Sequence, residues 1–200
     1  MTKDKTYQKK LDAIHADIVH DPANKEFYDK GWEPLYFISP QTRIVIIGQA
    51  PGLKAQERKI AWEDVSGDRL RQWLNVSKET FYDSKLFGII PMDFYYPGKG
   101  KSGDLPPRIE FAEKWHTQIF ENTPNIVLTI LIGQYAQKQY LKDTRKKNTT
   151  ETVRAFASYL PTYLPLVHPS PRNRIWLAKN PWFETDVIPL LQEWVRKIIL

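Results

Sequence analysis

The strongest constraint on the fold of this chain is a set of short apolar runs that alternate with amphipathic stretches. The first run, Arg43 to Ile47, is β-branched, has polar residues before it and Gly48 after it, and reads as a strand buried on both faces. Three more runs follow: Leu86 to Met92, Ile126 to Ile132 and Tyr163 to Val167. Helical stretches lie between them, at Asp68 to Leu74, Ile109 to Phe120, Tyr135 to Leu141 and Glu151 to Tyr159. Strands that alternate with helices form βαβ units, whose right-handed crossovers give a parallel sheet between two helical layers. The expected fold is therefore α/β, a three-layer α/β/α sandwich around a four-stranded parallel sheet. Two helices flank this core in sequence. Tyr7, Leu11, Ile14 and Ile18 recur at four, three and four residues, one face of a helix that stops before Asp21-Pro22. Val187, Leu191, Trp194 and Ile198 form a second stripe in Glu184 to Leu200, with Pro189 in its first turn. Asn24 to Pro40 carries Trp32, Pro34, Tyr36 and Phe37 and reads as an irregular segment that packs aromatics over the domain.

Composition narrows the chemistry. With 200 residues, 42% of them hydrophobic, one domain spanning 1–200 is expected. The net charge of +6 and a pI near 9.3 favour anionic partners. The absence of cysteine excludes disulfides, thiol nucleophiles and cysteine-held zinc or iron–sulfur clusters. Met1 to Tyr7 is polar and lysine-rich, and no apolar run approaches roughly 18 residues, so a soluble cytoplasmic protein is expected.

In an open α/β sheet, ligands bind outside the carboxyl ends of the strands. Three loops occupy that end here: Gly48-Gln49-Ala50-Pro51-Gly52, Pro91 to Pro107, and His168 to Asn173. The last strand ends abruptly in His168-Pro169-Ser170-Pro171-Arg172-Asn173-Arg174, where the prolines hold His168 and Ser170 extended. A histidine that titrates near neutral pH, followed by donors suited to phosphates and base edges, points to a nucleic-acid site; a plain proline-rich surface loop is the alternative.

Several other chemistries fail on spacing. Gly100-Lys101-Ser102 is not a phosphate-binding loop, because Tyr95 stands where that motif needs glycine and Gly103-Asp104-Leu105-Pro106-Pro107 follows where it needs a helix. A flexible basic loop that touches a nucleic-acid backbone through Lys99 and Lys101 fits the same residues, as does plain solvent exposure. The four histidines are scattered; His15 and His20 read as surface residues, and His116 has no partner ligand at helical spacing and reads as structural or surface. No Gly-x-Ser-x-Gly elbow is present for serine hydrolase chemistry.

The first and last loops together are far more specific than either alone. Gly-Gln-Ala-Pro-Gly after the first strand and His-Pro-Ser-Pro-Arg-Asn after the last resemble the uracil-DNA glycosylase superfamily from about Ile44 to Trp194. The first motif is similar to the Gly-Glu-Ala-Pro-Gly of the iron–sulfur class (family 4), and the second is identical to that of the single-strand-selective class. The resemblance implies a four-stranded parallel sheet between helices and hydrolysis of the bond between a flipped base and its sugar. Such cleavage builds negative charge on the base and positive charge on the sugar, so it needs a donor at the base and a group that positions water.

By this resemblance His168 donates to the base carbonyl. Gly48, Gln49, Ala50, Pro51 and Gly52 approach the base or a water, Ser170 contacts phosphate, and Pro171, Arg172, Asn173 and Arg174 lie on the loop that enters the DNA. The departures matter as much. Gln49 stands where family 4 has a catalytic glutamate, and Ala50 stands where other classes have Asp or Asn. Trp62-Glu63-Asp64-Val65-Ser66-Gly67 resembles the aromatic and Asp-x-Ser-Gly segment of the family 5 type, which makes Asp64 the substitute water-activating residue and Glu63 the second choice. Asp64 or Ser66 as a plain helix cap is the competing reading, and Trp62 is either a stacking surface for the base or core. Ile90-Pro91-Met92-Asp93 replaces the segment that ends in a base-reading asparagine, which leaves Asp93 or a main-chain group to read a different edge. The expected protein is a cluster-free monofunctional DNA glycosylase that acts as a monomer on damaged or modified DNA, with no metal, cofactor or membrane. The alternative is a non-catalytic binder of DNA or of a modified base, and hydrolysis of a free nucleoside or nucleotide is a third, weaker option.

Overall fold

The structure is a computed structural model and describes residues 3–200; Met1 and Thr2 of the lysine-rich N-terminus lie outside the described residues. Four strands, β1 (Ile44–Ile47), β2 (Phe87–Ile89), β3 (Leu128–Ile132) and β4 (Tyr163–Leu166), form one parallel sheet in the order β2-β1-β3-β4. Ten α-helices are described: α1 (Lys3–His20), α2 (Lys25–Asp29), α3 (Leu53–Arg58), α4 (Val65–Leu74), α5 (Lys78–Asp83), α6 (Ile109–Glu121), α7 (Gly133–Leu141), α8 (Thr149–Arg154), α9 (Arg174–Lys179) and α10 (Ile188–Ile199).

Strand alternation builds the three layers. Successive side chains of a strand point to opposite faces, so Ile44 and Ile46 pack with α4, α5, α8 and α10, whereas Val45 and Ile47 pack with α1, α2, α6 and α7. All four β1 side chains are fully buried, which is why this run is apolar throughout rather than alternating. The α1 stripe is buried at Leu11, Ile14 and Ile18, and that of α10 at Leu191, Val195 and Ile198. The chain leaves β1 for β2 on one side and returns across it to β3 on the other. Gly48 to Gly52 therefore opens from the strand at which the winding reverses, the place where such sheets carry a crevice.

The expected elements are present, with local differences. Asn24 to Pro40 is not wholly irregular: it contains α2, and Phe37 forms an antiparallel bridge with Ile89. Its aromatics do pack inward, with Phe27 stacked on Tyr95 at 4.5 Å and Tyr36 on Phe94 at 4.3 Å. The stretch 151–159 divides into α8 and a 3-10 turn, Phe156–Tyr159, and α10 is preceded by a π turn, Phe183–Val187. Helices α3, α5 and α9 were not legible as periodic stripes, because each has only six residues, less than two turns.

Candidate active site

A cleft of about 740 Å³ opens at the carboxyl end of the sheet. Its lining includes the whole Gly48–Gly52 turn, the Ala61–Ser66 segment, Pro91, Asp104, His168 and Arg172. The structure thus brings the 48–52 turn together with Pro91 and Asp104 of the second loop and His168 and Arg172 of the third, as the placement of these loops after β1, β2 and β4 implies. Among the described residues no group of three His, Asp or Glu side chains converges to hold a metal ion.

His168 is held by its own loop. The Ser170 amide donates to His168 Nδ1 at 3.1 Å, and the Asn173 side chain donates to the His168 carbonyl at 2.7 Å. An amide cannot accept, so Nδ1 is the lone-pair nitrogen, and the neutral ring carries its proton on Nε2. Burial pushes the His168 pKa below the ordinary histidine value, and the nearby Asp64 charge opposes that shift. At neutral pH the residue is a neutral imidazole with a single N–H donor at Nε2. Upstream, Gln137 of α7 is fully buried and donates to the Leu166 carbonyl at 2.9 Å, which anchors the strand end that carries His168.

Trp62 forms the wall next to His168, with ring centroids 5.4 Å apart. Its indole lies against Gly48, where an added Cβ would sit 3.2 Å from Cζ2, a tight contact that the Trp62 ring would have to shift to accept. Trp62 has φ 60°, a left-handed conformation that is unusual for a bulky residue. Two partly buried contacts hold this turn: Arg71 Nη1 donates to the Trp62 carbonyl at 3.0 Å, and the Tyr82 hydroxyl donates to the Ala61 carbonyl at 2.7 Å. Arg71 is itself only 7% exposed and is paired with Asp68. Sequence reading missed Arg71 because its partner is a carbonyl brought close only by the turn. Trp62 is thus partly buried but belongs to the cleft, and it forms one wall with His168.

Asp64 does two things at once. It is the N-cap of α4, its Oδ1 accepting from the Gly67 amide at 2.9 Å, so this helix starts at Val65 rather than near Asp68. Asp64 is also exposed along the cleft and lies close enough to influence His168. Glu63 lines the cleft too, but Lys78 pairs with it at 2.8 Å and lowers its pKa. Gly67 is required beside Trp62, since a Cβ there would fall 1.7 Å from the Trp62 carbonyl oxygen.

Gln49 joins the first loop to the second: its Nε2 donates to the Leu105 carbonyl at 3.0 Å. Residues 98–105 fold into a narrow ribbon closed by Gly100 N to Gly103 O and Leu105 N to Gly98 O, with a bridge between Lys99 and Asp104. Gly98 and Gly103 have φ of 103° and 92°, which glycine alone adopts freely. The ribbon exposes Lys99 and Lys101, neither of which lines the cleft, and brings Gly103 beside the Arg172 guanidinium.

Not every expected residue reaches the cleft. Asp93 is fully buried and does not line it: its carboxylate takes Arg108 Nε at 2.7 Å and Nη2 at 2.8 Å, together with the Tyr95 and Arg108 amides. A carboxylate that removed from water must be neutralised by a partner, and the partner here is an arginine in the loop before α6. Asn173 and Ser170 are occupied within the turn, since the Ser170 hydroxyl accepts from the Arg172 amide at 3.2 Å. Pro171 and Arg174 are exposed outside the cleft, and Arg172 is exposed on its rim. The structure adds Lys54 and Arg58 to the lining, one turn apart on α3, a helix too short to be foreseen.

The parallel sheet, the crevice at its winding reversal and the facing loops agree with an independent comparison. The family model of the uracil DNA glycosylase superfamily matches residues 35–192, which takes in all four strands and every loop of the cleft. The chain belongs to the uracil DNA glycosylase superfamily, which supports a DNA glycosylase-like function in general.

Proposed function

We propose that the protein is a monofunctional DNA glycosylase, which hydrolyses the N-glycosidic bond of uracil or another deaminated or modified base flipped into the cleft. The observation that carries this reading is the tautomer of His168. Its only N–H donor, at Nε2, is available to a base carbonyl, where negative charge grows as the bond to the sugar breaks. Trp62 offers its ring as a stacking surface beside that donor. Water activation falls to Asp64, whose Oδ1 caps α4 and whose second oxygen takes the proton of the attacking water. Gln49 positions rather than activates, since an amide is no base at neutral pH. Arg172, Arg174, Lys99 and Lys101 supply backbone contacts around the mouth, and the protein acts as a monomer without metal or cofactor.

The test is release of uracil, hypoxanthine, xanthine and hydroxymethyluracil from oligonucleotides, with alkali used to cut the resulting abasic site. Expected is base release that requires His168, with strand scission only after alkali. If cleavage is absent on all four, or is unchanged in His168→Ala, the enzyme reading fails. Scission without alkali would make a cleft lysine such as Lys54 a nucleophile and the enzyme a lyase as well as a glycosylase. A second reading, a binder that has kept the cleft and lost cleavage, is favoured by one observation: the Gly48–Gly52 turn contains no carboxylate. Tight, salt-sensitive DNA binding without base release, unaltered in Asp64→Asn, would support it.

A further inference from the structure

We propose that Arg69 is a positioning residue, which fixes where the His168 loop stands relative to Trp62 and Asp64 and makes α4 the common frame of all three. Its effect on base release rests on the glycosylase reading above; its effect on the geometry of the free protein does not.

The bonds inside the loop are local. The Ser170 amide meets His168 Nδ1, the Asn173 side chain meets the His168 carbonyl, the Arg172 amide meets the Ser170 hydroxyl, and the Asn173 amide donates to the Ser170 carbonyl at 2.9 Å. All four begin and end between residues 168 and 173. They set the shape of the turn and the tautomer of His168, but a bond within a segment moves with that segment and cannot place it. Gln137 fixes the chain at Leu166, before the loop begins. Among the described residues, the one hydrogen bond that reaches 168–173 from outside the loop and the helix after it comes from Arg69, whose Nη1 donates to the Ser170 carbonyl at 3.3 Å. A carbonyl oxygen has two lone pairs, so it accepts from Arg69 and from the Asn173 amide together.

Arg69 leaves the helix that already carries the other two parts of the site. Asp64 is the N-cap of α4, and Arg71 of α4 holds the Trp62 carbonyl. Arg69 and Arg71 are two residues apart, roughly 200° around the helix, so one is directed to each wall of the cleft. Ser66, one turn before Arg69 and on its face, is buried in the cleft lining. The helix itself is held firmly: Leu70, Trp73 and Leu74 are buried, and Trp73 meets Phe183 edge-on at 4.9 Å. A group carried by a rigid helix places its partner more closely than a loop does alone.

An arginine beside a DNA-binding loop has another use, a phosphate contact. The two roles separate, because a phosphate contact acts on affinity and its salt dependence, whereas position acts on the chemical step.

The experiment compares the wild type with Arg69→Gln, whose shorter side chain cannot reach Ser170, and Arg69→Lys, which can still donate to its carbonyl. In the free protein, NMR reads the nuclear Overhauser contact between the Trp62 and His168 rings, whose centroids are 5.4 Å apart, and the nitrogen shifts that report the His168 tautomer. In Arg69→Gln the ring contact is expected to disappear while the tautomer is kept. Single-turnover base release at saturating oligonucleotide falls by about 10-fold to 100-fold, with the DNA affinity, its salt slope and the thermal midpoint little changed. Arg69→Lys restores the ring contact and most of the rate. An unchanged ring contact in Arg69→Gln overturns the proposal, and a salt slope lower by about 1 would then make Arg69 a phosphate contact. Loss of the contact without loss of rate overturns its part in catalysis. If the wild type releases no base, the glycosylase reading fails, and the ring contact still decides the positioning role. Arg69→Ala is read in the same way if Arg69→Gln does not fold.

Discussion

The protonation state of His168 has two opposed causes, burial and the Asp64 charge, and a substitution separates them. Asn caps helices as well as Asp does, so Asp64→Asn keeps the bond to the Gly67 amide and removes only the charge. Two outcomes are expected. The His168 titration midpoint, read by NMR from its ring protons, is below the ordinary 6.5 in the wild type and falls further in Asp64→Asn. Single-turnover base release falls at least about 100-fold in the variant, within the range general base catalysis contributes, while the thermal midpoint barely moves. Asp64→Ala, by contrast, also costs about 1 kcal/mol of stability through loss of the cap. An unchanged rate in Asp64→Asn would leave Asp64 as a cap alone.

His116 gives a second prediction at this scale. Burial pushes its pKa down from 6.5 to about 4, so the folded protein keeps it neutral where the unfolded chain protonates it. The unfolded state binds more protons in that window, so stability falls as pH drops from about 6.5 toward 4, by roughly 3 kcal/mol in all. Chemical denaturation at a series of pH values measures this. In His116→Gln, whose amide can donate to the Pro91 carbonyl and accept from Tyr140, the slope across the window flattens.

At the scale of elements, the cleft depends on how the start of α4 meets the turn before it. Gly67 is in the first turn of a helix, a place where a residue with a Cβ is ordinarily the better choice. Here the helix backbone approaches the Trp62 carbonyl so closely that a Cβ would collide with main-chain atoms. Gly67→Ala is therefore expected to destabilise by at least about 3 kcal/mol, beyond ordinary overpacking, read from the denaturant midpoint. If Trp62 stacks on a bound base, tryptophan fluorescence is expected to change when the wild type binds DNA, and Gly67→Ala, which displaces the Trp62 turn, is expected to lose that change. Helix α7 supports the site from the other side, through the Gln137 bond to the end of β4.

At the scale of the whole molecule, the charge of +6 suits a polyanion, but its usefulness depends on position. Arg172 is on the cleft rim, and the ribbon that carries Lys99 and Lys101 lies against it. If both lysines meet phosphates, Lys99→Ala with Lys101→Ala reduces the slope of log binding constant against log salt for duplex DNA by about 2. Base preference is unaffected, because phosphate contacts carry no sequence information. An unchanged slope would assign the ribbon to holding Gln49 alone.

Much of this molecule was legible in the chain. The four strands and the larger helices follow from side-chain period, which is a local property; Ile44 to Ile47 are apolar because both sheet faces are covered, and no distant residue is needed to read that. His168 and the 48–52 turn were legible for a similar reason, since proline and glycine restrict the backbone within a residue or two of themselves. Short helices such as α3 were not legible, because fewer than two turns leave no stripe to count. Nor were the side-chain assignments that depend on partners far along the chain. Asp93 was open to base reading until Arg108 took its carboxylate, Gln49 until Leu105 took its amide, and the Pro91 carbonyl until His116 took it. Local sequence thus determined the sheet, the loops at its carboxyl end and the histidine at their centre. Only tertiary structure decided which polar groups remain free in the cleft, because a buried donor or acceptor is claimed by whatever the fold brings within about 3 Å of it.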